Sequence, residues 1–494
     1  MTVDLRSTGA SSGRPTAWKS LPWDSFQASV KRLQMRIAKA IRVNKHGKAR
    51  ALQWILTHSR AAKFMAVNRV TTNKGRNTPG VDRQVWTTEQ AKSEAANGLR
   101  QRGYHPQPLR RIYIPKKNGK LRPLSIPTMS DRAHHALHAL ALEPIAETCA
   151  DKNSYGFRLG RCCADAIGQC FNALAKSYSP VWIMEGDIKS CYDRISQPWL
   201  IDHIPMDRKI LRKWLQAGYL EKGRLYPTEA GTPQGGIISP LLANMTLDQM
   251  ETAIRAVTHR RDKVNFIRYA DDFVVTAAEK ATLEERVKPV IVSFLKERGL
   301  ELSEEKTKIT YIQDGFDFLG QNLRKKGKKL LITPSRQSVA GVMEKARQCF
   351  RSCLGVAAEV LIRKLNPILV GWANYHRYVP AKEAFHKVNR YVTGRLRRWT
   401  KRRHPKKSYT WIRRKYYPDE SNGRFSTWTK SKNGERRLLK LKNIAQTVME
   451  RHIKVKAQAT PYHPDWVEYF EKRKVFAWRS YPVGNNSPLA SLGV

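Results

Sequence analysis

The sequence predicts an α+β fold in which helices surround antiparallel β-structure. Apolar residues that recur every three or four positions predict helices near the start of the chain and again beyond about residue 333. Short apolar runs bounded by Gly, Pro or Asn-Gly turns predict strands between these two helical parts. At 494 residues the chain can bury a large core and form roughly two to four domains.

Basic residues dominate the composition, with 91 Lys and Arg against 41 Asp and Glu and a formal net charge of +50. Such an excess destabilises a compact chain by self-repulsion unless a polyanion neutralises it. Nucleic acid is the expected polyanion. An acidic membrane surface is the alternative, but no apolar stretch approaches the roughly 18–20 residues that a membrane helix needs. We therefore expect a nucleic-acid partner and no membrane partner.

The seven cysteines are scattered and lack paired CxxC spacing, which indicates a reducing compartment and predicts no zinc site. The first residues lack the apolar core of a secretion signal, and Asp4 argues against an organelle transit peptide. We therefore expect a flexible leader over residues 1–20 and a cytoplasmic protein.

The region from Trp23 to about Leu56 has apolar residues such as Val30 and Ile37 at helical spacing, with basic residues between them. This pattern predicts a pair of basic amphipathic helices. Two interpretations stay open: the helices pack on a core with their cations in solvent, or the cations contact RNA. The cations concerned include Lys31, Arg32 and Arg36.

Residues 110–127, "RRIYIPKKNGKLRPLSIP", predict two strands, Arg110–Pro115 and Leu121–Ile126, joined by an Asn118-Gly119 turn. Helical patterns follow in "DRAHHALHALALEPIAE" and after "SYGFRLGR".

Three aspartates lie at predicted strand ends. Asp187 closes the apolar run "PVWIMEGD", and Asp271 and Asp272 lie between two apolar runs in "NFIRYADDFVVTA", a pattern that predicts a hairpin with both acids at its tip. Buried carboxylates are costly unless a cation compensates them. Side by side in one sheet, the three would suit Mg²⁺, and two such ions about 3.5–4 Å apart serve in-line displacement at phosphorus.

Seven blocks in order resemble those of reverse transcriptases: "IPKKNGKLRPLSIP", "SYGFRLGR", "GDIKSCYDRI", "GTPQGGIISPLLANM", "RYADDF", "LSEEKTKI" and "FDFLG". Two further segments restrict the resemblance to one group of reverse transcriptases: "VKRLQMRIAKA" upstream and "LNPILVGWANYHRY" downstream. Over about residues 20–470 the chain resembles the proteins encoded by bacterial group II introns, which combine a reverse transcriptase with a maturase.

The resemblance implies a right-hand polymerase with fingers, a palm built on an antiparallel sheet, and a helical thumb. The expected divisions are the leader at 1–20, an N-terminal extension and fingers at 21–185, a palm at 186–330, a thumb or domain X (the maturase part) at 331–395, and a basic DNA-binding region at 396–494. Part of the fingers precedes residue 186.

The resemblance also assigns roles. Asp187, Asp271 and Asp272 are the expected catalytic residues and, with Ile188, the expected ligands of two Mg²⁺ ions. Asp187 and Asp271 would bridge both ions, and Asp272 would be the lesser ligand. The expected dNTP contacts are Lys116, Arg122, Tyr192, Gln234 and Gly235. The expected primer grip is Phe318, Leu319 and Gly320.

Two of the dNTP contacts have an open alternative. Tyr192 is the expected steric gate against a ribose 2′-OH, although it could be a plain core aromatic. Lys116 could be a solvated strand-end lysine.

The stretch 395–415 contains eleven Lys and Arg and no acid, interleaved with Trp and Tyr that can stack on unpaired bases. It could instead be a solvated face. The expected RNA and DNA contacts are Lys31, Arg32, Arg36, Arg158, Arg377, Arg397, Arg398, Trp399, Lys401, Arg402, Arg403, Lys406, Lys407, Arg413 and Arg414.

The implied function is an RNA-directed DNA polymerase and maturase in a ribonucleoprotein with its group II intron RNA. It would assist splicing and copy this mobile element into target DNA from dNTPs by target-primed reverse transcription (retrohoming). A bacterial cytoplasm is expected, with nucleoid association on target DNA. Relatives often end in an HNH endonuclease with two CxxC pairs; because Cys353 is the last cysteine, that domain is not expected here.

Three alternatives stay open: a splicing cofactor with an unused polymerase site, a domesticated reverse transcriptase in defence or repair, and an RNA-dependent RNA polymerase. The choice between monomer and dimer is also open.

Overall fold

The computed structural model describes residues 18–115, 119, 121–232, 235–418, 423–430 and 433–480, with side chains to residue 473. Of the expected leader, residues 1–17 lie outside this part of the chain. Within it, no helix combines the length and the apolar character needed to cross a lipid bilayer.

The N-terminal part is a helical layer with one β-hairpin. Its elements are α1 (Trp23–Arg42), α2 (His46–His58), α3 (Arg60–Thr72), α4 (Glu89–Gly98), β1 (Leu109–Pro115), β2 (Leu121–Ile126) and α5 (Met129–Cys149). The predicted helix pair and hairpin are confirmed, and β1 pairs antiparallel with β2 from Arg110↔Ile126 to Pro115↔Leu121. The side chains of Ser59, Thr88 and Thr128 cap the starts of α3, α4 and α5.

The apolar stripe of α1 packs into the core of this layer. Val30 and Ile37 are buried against α3 and α5, and the Gln34 side chain donates to the Leu140 carbonyl at 2.8 Å. Arg32 and Arg36 are exposed on the opposite face. The packing of α1 on the core is thus observed, and both arginines are available for a polyanion, so a contact between them and RNA stays a prediction.

The central part carries a four-stranded antiparallel sheet in the order β6-β7-β3-β8. Its elements are α6 (Cys163–Leu174), β3 (Trp182–Asp187), α7 (Cys191–Arg194), α8 (Gln197–His203), α9 (Arg208–Leu215), β4 (Tyr219–Glu221), β5 (Arg224–Tyr226), α10 (Ser239–Leu247), α11 (Met250–Ala256), β6 (Asn265–Tyr269), β7 (Asp272–Ala277), α12 (Lys288–Lys296) and β8 (Lys308–Tyr311). Strands β4 and β5 join the N-terminal hairpin in a second sheet, ordered β2-β1-β4-β5.

The C-terminal part is mostly helical. It begins with a three-stranded sheet, β9 (Phe316–Phe318), β10 (Gln321–Lys326) and β11 (Lys329–Pro334). The helices are α13 (Arg336–Ser352), α14 (Ala358–His376), α15 (Lys382–Arg403) and α16 (Tyr409–Tyr416), followed by the hairpin β12 (Ser426–Lys430) and β13 (Arg436–Lys440) and by α17 (Val467–Ser480). The basic helices predicted beyond residue 333 are confirmed.

Residues 450–473, which we call the C-terminal strap, run back from these helices across α6 and α5. Glu450 forms an ion pair with Arg377 just after α14. Farther along, the Arg161 guanidinium donates to the carbonyls of Ala457 and Ala459, both at 3.2 Å. The strap therefore ties the C-terminal helices to the helices that support the central sheet.

Asp165 on α6 holds the strap through two hydrogen bonds and an ion pair. Its fully buried carboxylate accepts hydrogen bonds from His452 Nε2 at 2.9 Å and from the Val455 amide at 2.7 Å, and pairs with Arg473 at 3.1 Å. Burial alone would raise the pKa of Asp165, but the hydrogen bond from His452 and the charge of Arg473 lower it to about 2.

We expect Asp165→Asn to lower the free energy of unfolding by about 2–3 kcal/mol at neutral pH, because it leaves buried donors without their charged acceptor. Denaturant unfolding measures the loss, and limited proteolysis reports whether the strap is released. The matched control Asp465→Asn changes an exposed acid of the same strap and should cost less than about 0.5 kcal/mol.

The difference in the free energy of unfolding between the wild type and Asp165→Asn should depend on pH. Because the pKa of Asp165 is lowered, the advantage of the wild type is present above the ordinary carboxyl pKa and fades as the pH falls toward about 2. Equal stability of Asp165→Asn and wild type at neutral pH would show that the strap is not anchored here.

Candidate active site

Three carboxylates converge at one edge of the four-stranded sheet. Strand β3 pairs antiparallel with β7 in a register that sets Asp187 directly opposite Asp272. Asp271 lies in the turn between β6 and β7, whose last pair is Tyr269↔Asp272. The meeting of Asp187 with the hairpin tip, which the sequence predicts, is therefore observed.

The turn that carries Asp271 is held by a neighbouring segment of backbone. Ala270 has a φ of +58°, in the left-handed region that residues other than Gly rarely occupy. The amide of Tyr155 donates to the Arg268 carbonyl at 2.9 Å, beside β6. A Cβ on Gly156 would lie only 2.4 Å from the Ala270 nitrogen. The "SYGF" segment therefore packs against the turn and supports it, and only glycine fits at residue 156.

A buried arginine lies behind the turn. Arg268 is 0% exposed and bonds to Asp248 at 2.6 Å. The same guanidinium donates to Asn244 Oδ1 at 3.1 Å and to the Ala270 carbonyl at 3.4 Å. Arg268 therefore fixes the backbone of the turn, and its ion-pair partner is Asp248 rather than one of the three converging acids.

Lys306 is a site residue that the sequence analysis missed. Its Nζ lies 2.7 Å from Asp187 Oδ2, and the Ser303 amide donates to the Asp187 carbonyl at 2.8 Å. The hydrogen bond with Asp187 raises the pKa of Lys306, so the ammonium charge is favoured. Lys306 belongs to the block "LSEEKTKI", whose position in the order of blocks is the signal that could have pointed to it.

The acids carry more negative charge than Lys306 alone offsets. Burial and then the charge of Asp187 raise the pKa of Asp271. Burial, followed by the charges of Asp271 and Asp187, raises the pKa of Asp272 to about 7. A cluster of hard oxygen donors with unbalanced negative charge fits a divalent cation. The side chain of Ile188 is buried in the core, so Ile188 can reach a cation only through its main-chain carbonyl.

The half-buried ring of Tyr192 lies beside the cluster and under a glycine-rich loop. The Thr232 amide donates to the Tyr192 carbonyl at 2.7 Å, and a Cβ on Gly231 would come within 2.4 Å of that oxygen. Burial and then the negative charge of Asp271 raise the pKa of Tyr192. Tyr192 thus packs against the core of the central part close enough to Asp271 to feel its charge, and its main-chain carbonyl binds the loop.

Two other expected dNTP contacts, Gly235 and Arg122, lie near the same site. Gly235 has a φ of +115°, and a Cβ there would meet the Ser125 carbonyl of β2 at 2.7 Å, so the loop passes closely over the hairpin. Arg122 is exposed on β2, and its positive charge contributes to the pKa values of both Asp271 and Tyr192. Lys116 and Gln234 lie outside the described residues.

The expected primer-grip residues form the turn between β9 and β10. Phe318 is buried and pairs with Gln321. Between them, Leu319 and Gly320 have φ values of +47° and +72°. The turn therefore contains two consecutive left-handed residues, one of which has a branched side chain.

The expected nucleic-acid contacts divide into two groups. Most are exposed cations, namely Arg32, Arg36, Arg397, Arg398, Lys401, Arg402, Arg403, Lys406, Lys407, Arg413 and Arg414, with Lys31 half-buried. Three assignments need correction. Trp399 is only 4% exposed, and its indole N–H donates to the Cys353 carbonyl, so it is a core residue and cannot stack on a base.

The other two corrections are arginines. Arg158 is 5% exposed and pairs with Glu147 at 2.8 Å, so it is a buried structural cation. The side chain of Arg377 is only 12% exposed and pairs with Glu450 of the strap. Both guanidinium groups already have internal partners.

Three family models match the chain in order. The N-terminal domain of reverse transcriptase matches residues 18–99, the reverse transcriptase (RNA-dependent DNA polymerase) matches residues 114–323, and the group II intron maturase-specific domain matches residues 339–417. The palm sheet with acids at its edge, between a helical N-terminal layer with a hairpin and a C-terminal helical bundle, has the right-hand polymerase fold.

Several known proteins are similar. The group II intron-encoded protein LtrA of Lactococcus lactis subsp. cremoris is 31% identical over 333 residues, which is 53% of this chain and 54% of LtrA. This chain thus spans about half the length of LtrA. Protein YkfC of Escherichia coli K12 is 34% identical over 299 residues, which is 51% of this chain and 78% of YkfC.

Among solved structures, telomerase from Candida albicans aligns over 60% of this chain and 61% of that chain, with a TM-score of 0.37 and 13% identity. The order of the three matching domains and the similarity to LtrA and YkfC identify the family. The chain belongs to the group II intron reverse transcriptase/maturase family.

Proposed function

We propose that the protein is an RNA-directed DNA polymerase that also acts as a maturase for a group II intron RNA. The observation that carries the proposal is the register of β3 against β7, which sets Asp187 opposite Asp272 with Asp271 in the adjoining turn. The converging carboxylates, with the cation Arg122 on β2 and the aromatic Tyr192 near them, support this proposal.

The proposed divisions are those that the family resemblance implies. Residues 21–185 form the N-terminal extension and fingers, 186–330 the palm, 331–395 the thumb or domain X, and 396–494 a basic DNA-binding region. The exposed cations of α15 and α16 support the last assignment, since phosphate contacts dominate affinity for nucleic acids.

Asp187, Asp271 and Asp272, with the Ile188 main-chain carbonyl, would hold divalent cations, for which Mg²⁺ fits the all-oxygen donor set. Bound there, the cation would supply Lewis-acid stabilisation of charge on the phosphates and lower the pKa of the attacking hydroxyl. In the reaction, the primer 3′-hydroxyl gives up its proton to solvent water, and its oxygen bonds to the α-phosphorus of the dNTP. The bond from that phosphorus to the bridging oxygen breaks, and pyrophosphate leaves.

The residues of the chain orient these reactants. Arg122 binds the triphosphate by charge-assisted hydrogen bonds. Lys306 holds the Asp187 carboxylate in one orientation. Arg268 fixes the turn that carries Asp271. The ring of Tyr192 occupies the space that a ribose 2′-OH would need.

A primer-extension assay tests the proposal. The purified protein is given an RNA template, a DNA primer, dNTPs and Mg²⁺, and splicing of the RNA that co-purifies with it is measured in parallel. We expect cDNA synthesis and faster splicing. Splicing without cDNA would favour a splicing cofactor, and extension with rNTPs alone would favour an RNA polymerase. Sequencing the co-purified RNA separates an intron partner from a role in defence or repair.

We expect Tyr192→Ala to lower the preference for dNTPs over rNTPs by about 10- to 100-fold, because the repulsive contact with the 2′-OH is lost. The ratio of kcat/KM values for a dNTP and the matching rNTP measures this preference. Tyr192→Phe keeps the ring and should discriminate as the wild type does. An unchanged preference in Tyr192→Ala would remove Tyr192 from the role of steric gate.

A further inference from the structure

The last turn of α14 reaches the primer-grip turn between β9 and β10. The Tyr375 hydroxyl donates a hydrogen bond to the Leu319 carbonyl at 2.7 Å. Leu319 is the residue with a φ of +47°, followed by Gly320 at +72°. A left-handed residue other than Gly costs energy and persists only where its surroundings hold it in place. The hydrogen bond from Tyr375 is made to the carbonyl of Leu319, which is this strained residue.

His376 contacts Gln321, the residue that follows the turn and begins β10. It is 0% exposed, with Nδ1 3.1 Å from Gln321 Oε1 and Nε2 2.9 Å from Ser338 Oγ. Since an amide oxygen only accepts, Nδ1 carries the proton and Nε2 accepts from Ser338. Ser338 Oγ in turn accepts from Trp372 Nε1 at 3.0 Å. Burial lowers the pKa of His376 to about 4, which favours this neutral form.

Tyr375 also lies close to the active-site hairpin. The Cys163 side chain on α6 lies near the hydroxyls of both Tyr269 and Tyr375. Tyr269 is the residue of β6 that pairs with Asp272. One tyrosine of the thumb helix thus contacts the strained primer-grip turn directly and lies near the hairpin of the acids. The ring of Tyr375 remains 39% exposed beside the turn.

We propose that Tyr375 is a positioning residue for the primer: it holds the Leu319–Gly320 turn in its strained form, and so couples the thumb helix to the placement of the primer 3′ end. The inference rests on the proposed polymerase function. In this arrangement Tyr375 acts through the backbone of the turn and takes no part in bond making. The residues Tyr375 and His376 lie in the maturase-specific domain, yet their side chains contact Leu319 and Gln321 at the primer-grip turn.

The test is steady-state primer extension by full-length Tyr375→Phe, which removes the hydroxyl and keeps the ring. We expect the KM for the primer–template to rise about 5- to 10-fold, the effect of one lost hydrogen bond, while kcat at saturating primer–template changes less than about 2-fold. The matched control is Tyr391→Phe, a thumb tyrosine whose hydroxyl accepts from Arg395 at 3.2 Å within α15. It should keep the wild-type KM.

A second variant shows whether Tyr375 acts through the strained turn. Glycine adopts positive φ without strain, so in a Leu319→Gly background the turn no longer needs the hydroxyl. We expect Tyr375→Phe to change the KM less than about 2-fold in that background. Splicing should be the same in all of these variants.

The outcomes separate the two proposals. No extension by the wild type would contradict the polymerase assignment itself. Normal extension with a wild-type KM in Tyr375→Phe would overturn only the positioning role. An equal rise in KM in both backgrounds, or a rise of the same size in Tyr391→Phe, would also overturn it, since the effect would then not pass through the turn.

Discussion

Nucleotide incorporation is expected to fall at least about 1,000-fold, equivalent to about 4 kcal/mol in activation free energy, in Asp187→Asn and in Asp271→Asn. Each change removes one anionic oxygen from the site proposed to hold divalent cations. Single-nucleotide incorporation on a primed RNA template measures the loss. Asp272→Asn should lose less, about 10- to 100-fold, because Asp272 is expected to be the lesser ligand.

The loss should occur without unfolding. Asp187 and Asp271 both repel Asp272 and raise its pKa, so removing one of these negative charges should leave the metal-free protein about as stable as the wild type. The matched control is Asp314→Asn, at an exposed aspartate in the loop after β8, which should keep full activity. Binding and splicing of intron RNA should persist in all the variants. Activity within 10-fold of wild type in Asp271→Asn would remove Asp271 from the reaction.

The second large effect concerns stability. Arg268→Met is expected to lower the free energy of unfolding by about 3–5 kcal/mol, because it leaves the carboxylate of Asp248 buried without its partner. Denaturant unfolding measures the change. The double variant Arg268→Met/Asp248→Met removes both charges and should be more stable than the single variant. Lys280→Met, which breaks an exposed pair with Glu284, should cost about 0.3–0.5 kcal/mol or less.

The penalty in Arg268→Met should depend on pH. Burial raises the pKa of Asp248 to about 6 even with Arg268 beside it. Without the arginine that pKa rises further, and the folded variant is disfavoured wherever the carboxyl must ionise. The penalty should therefore be full at high pH and fade as the pH falls below the raised pKa. A pH-independent penalty, or none, would show that the pair does not hold the turn.

The convergence of the acids could be predicted because its signals are local. Apolar runs that end at Asp187 and flank Asp271 and Asp272 define strands and a hairpin, and antiparallel pairing then brings their ends together. The support behind the hairpin could not be predicted in the same way. Arg268 and Asp248 lie on different elements, and nothing in the local pattern of either residue indicates its partner.

The prediction for Trp399 was wrong because it followed the basic composition of the segment rather than the spacing of its apolar residues. Basic residues surround it, which favours a nucleic-acid contact, yet Val388, Val392, Leu396 and Trp399 follow one another at intervals of three or four along α15 and form its buried face. The periodicity of the apolar residues, rather than the charge around them, decides where the indole lies.

The β12–β13 hairpin has a signal of its own, Asn433-Gly434 between two strand-like runs. Because the hairpin is rich in Lys and Arg, it lacks the clear alternation of apolar and polar residues that normally flanks an Asn-Gly turn.

The central claim is that Asp187, Asp271 and Asp272 bind divalent cations at the end of a primer. The most direct measurement is a titration of Mn²⁺, followed by electron paramagnetic resonance, into the complex with a primer–template and a non-hydrolysable dNTP. The double variant Asp187→Asn/Asp271→Asn serves as the reference. We expect the wild type to bind Mn²⁺ in tight sites that the double variant lacks. Identical binding curves for the two proteins would contradict the account.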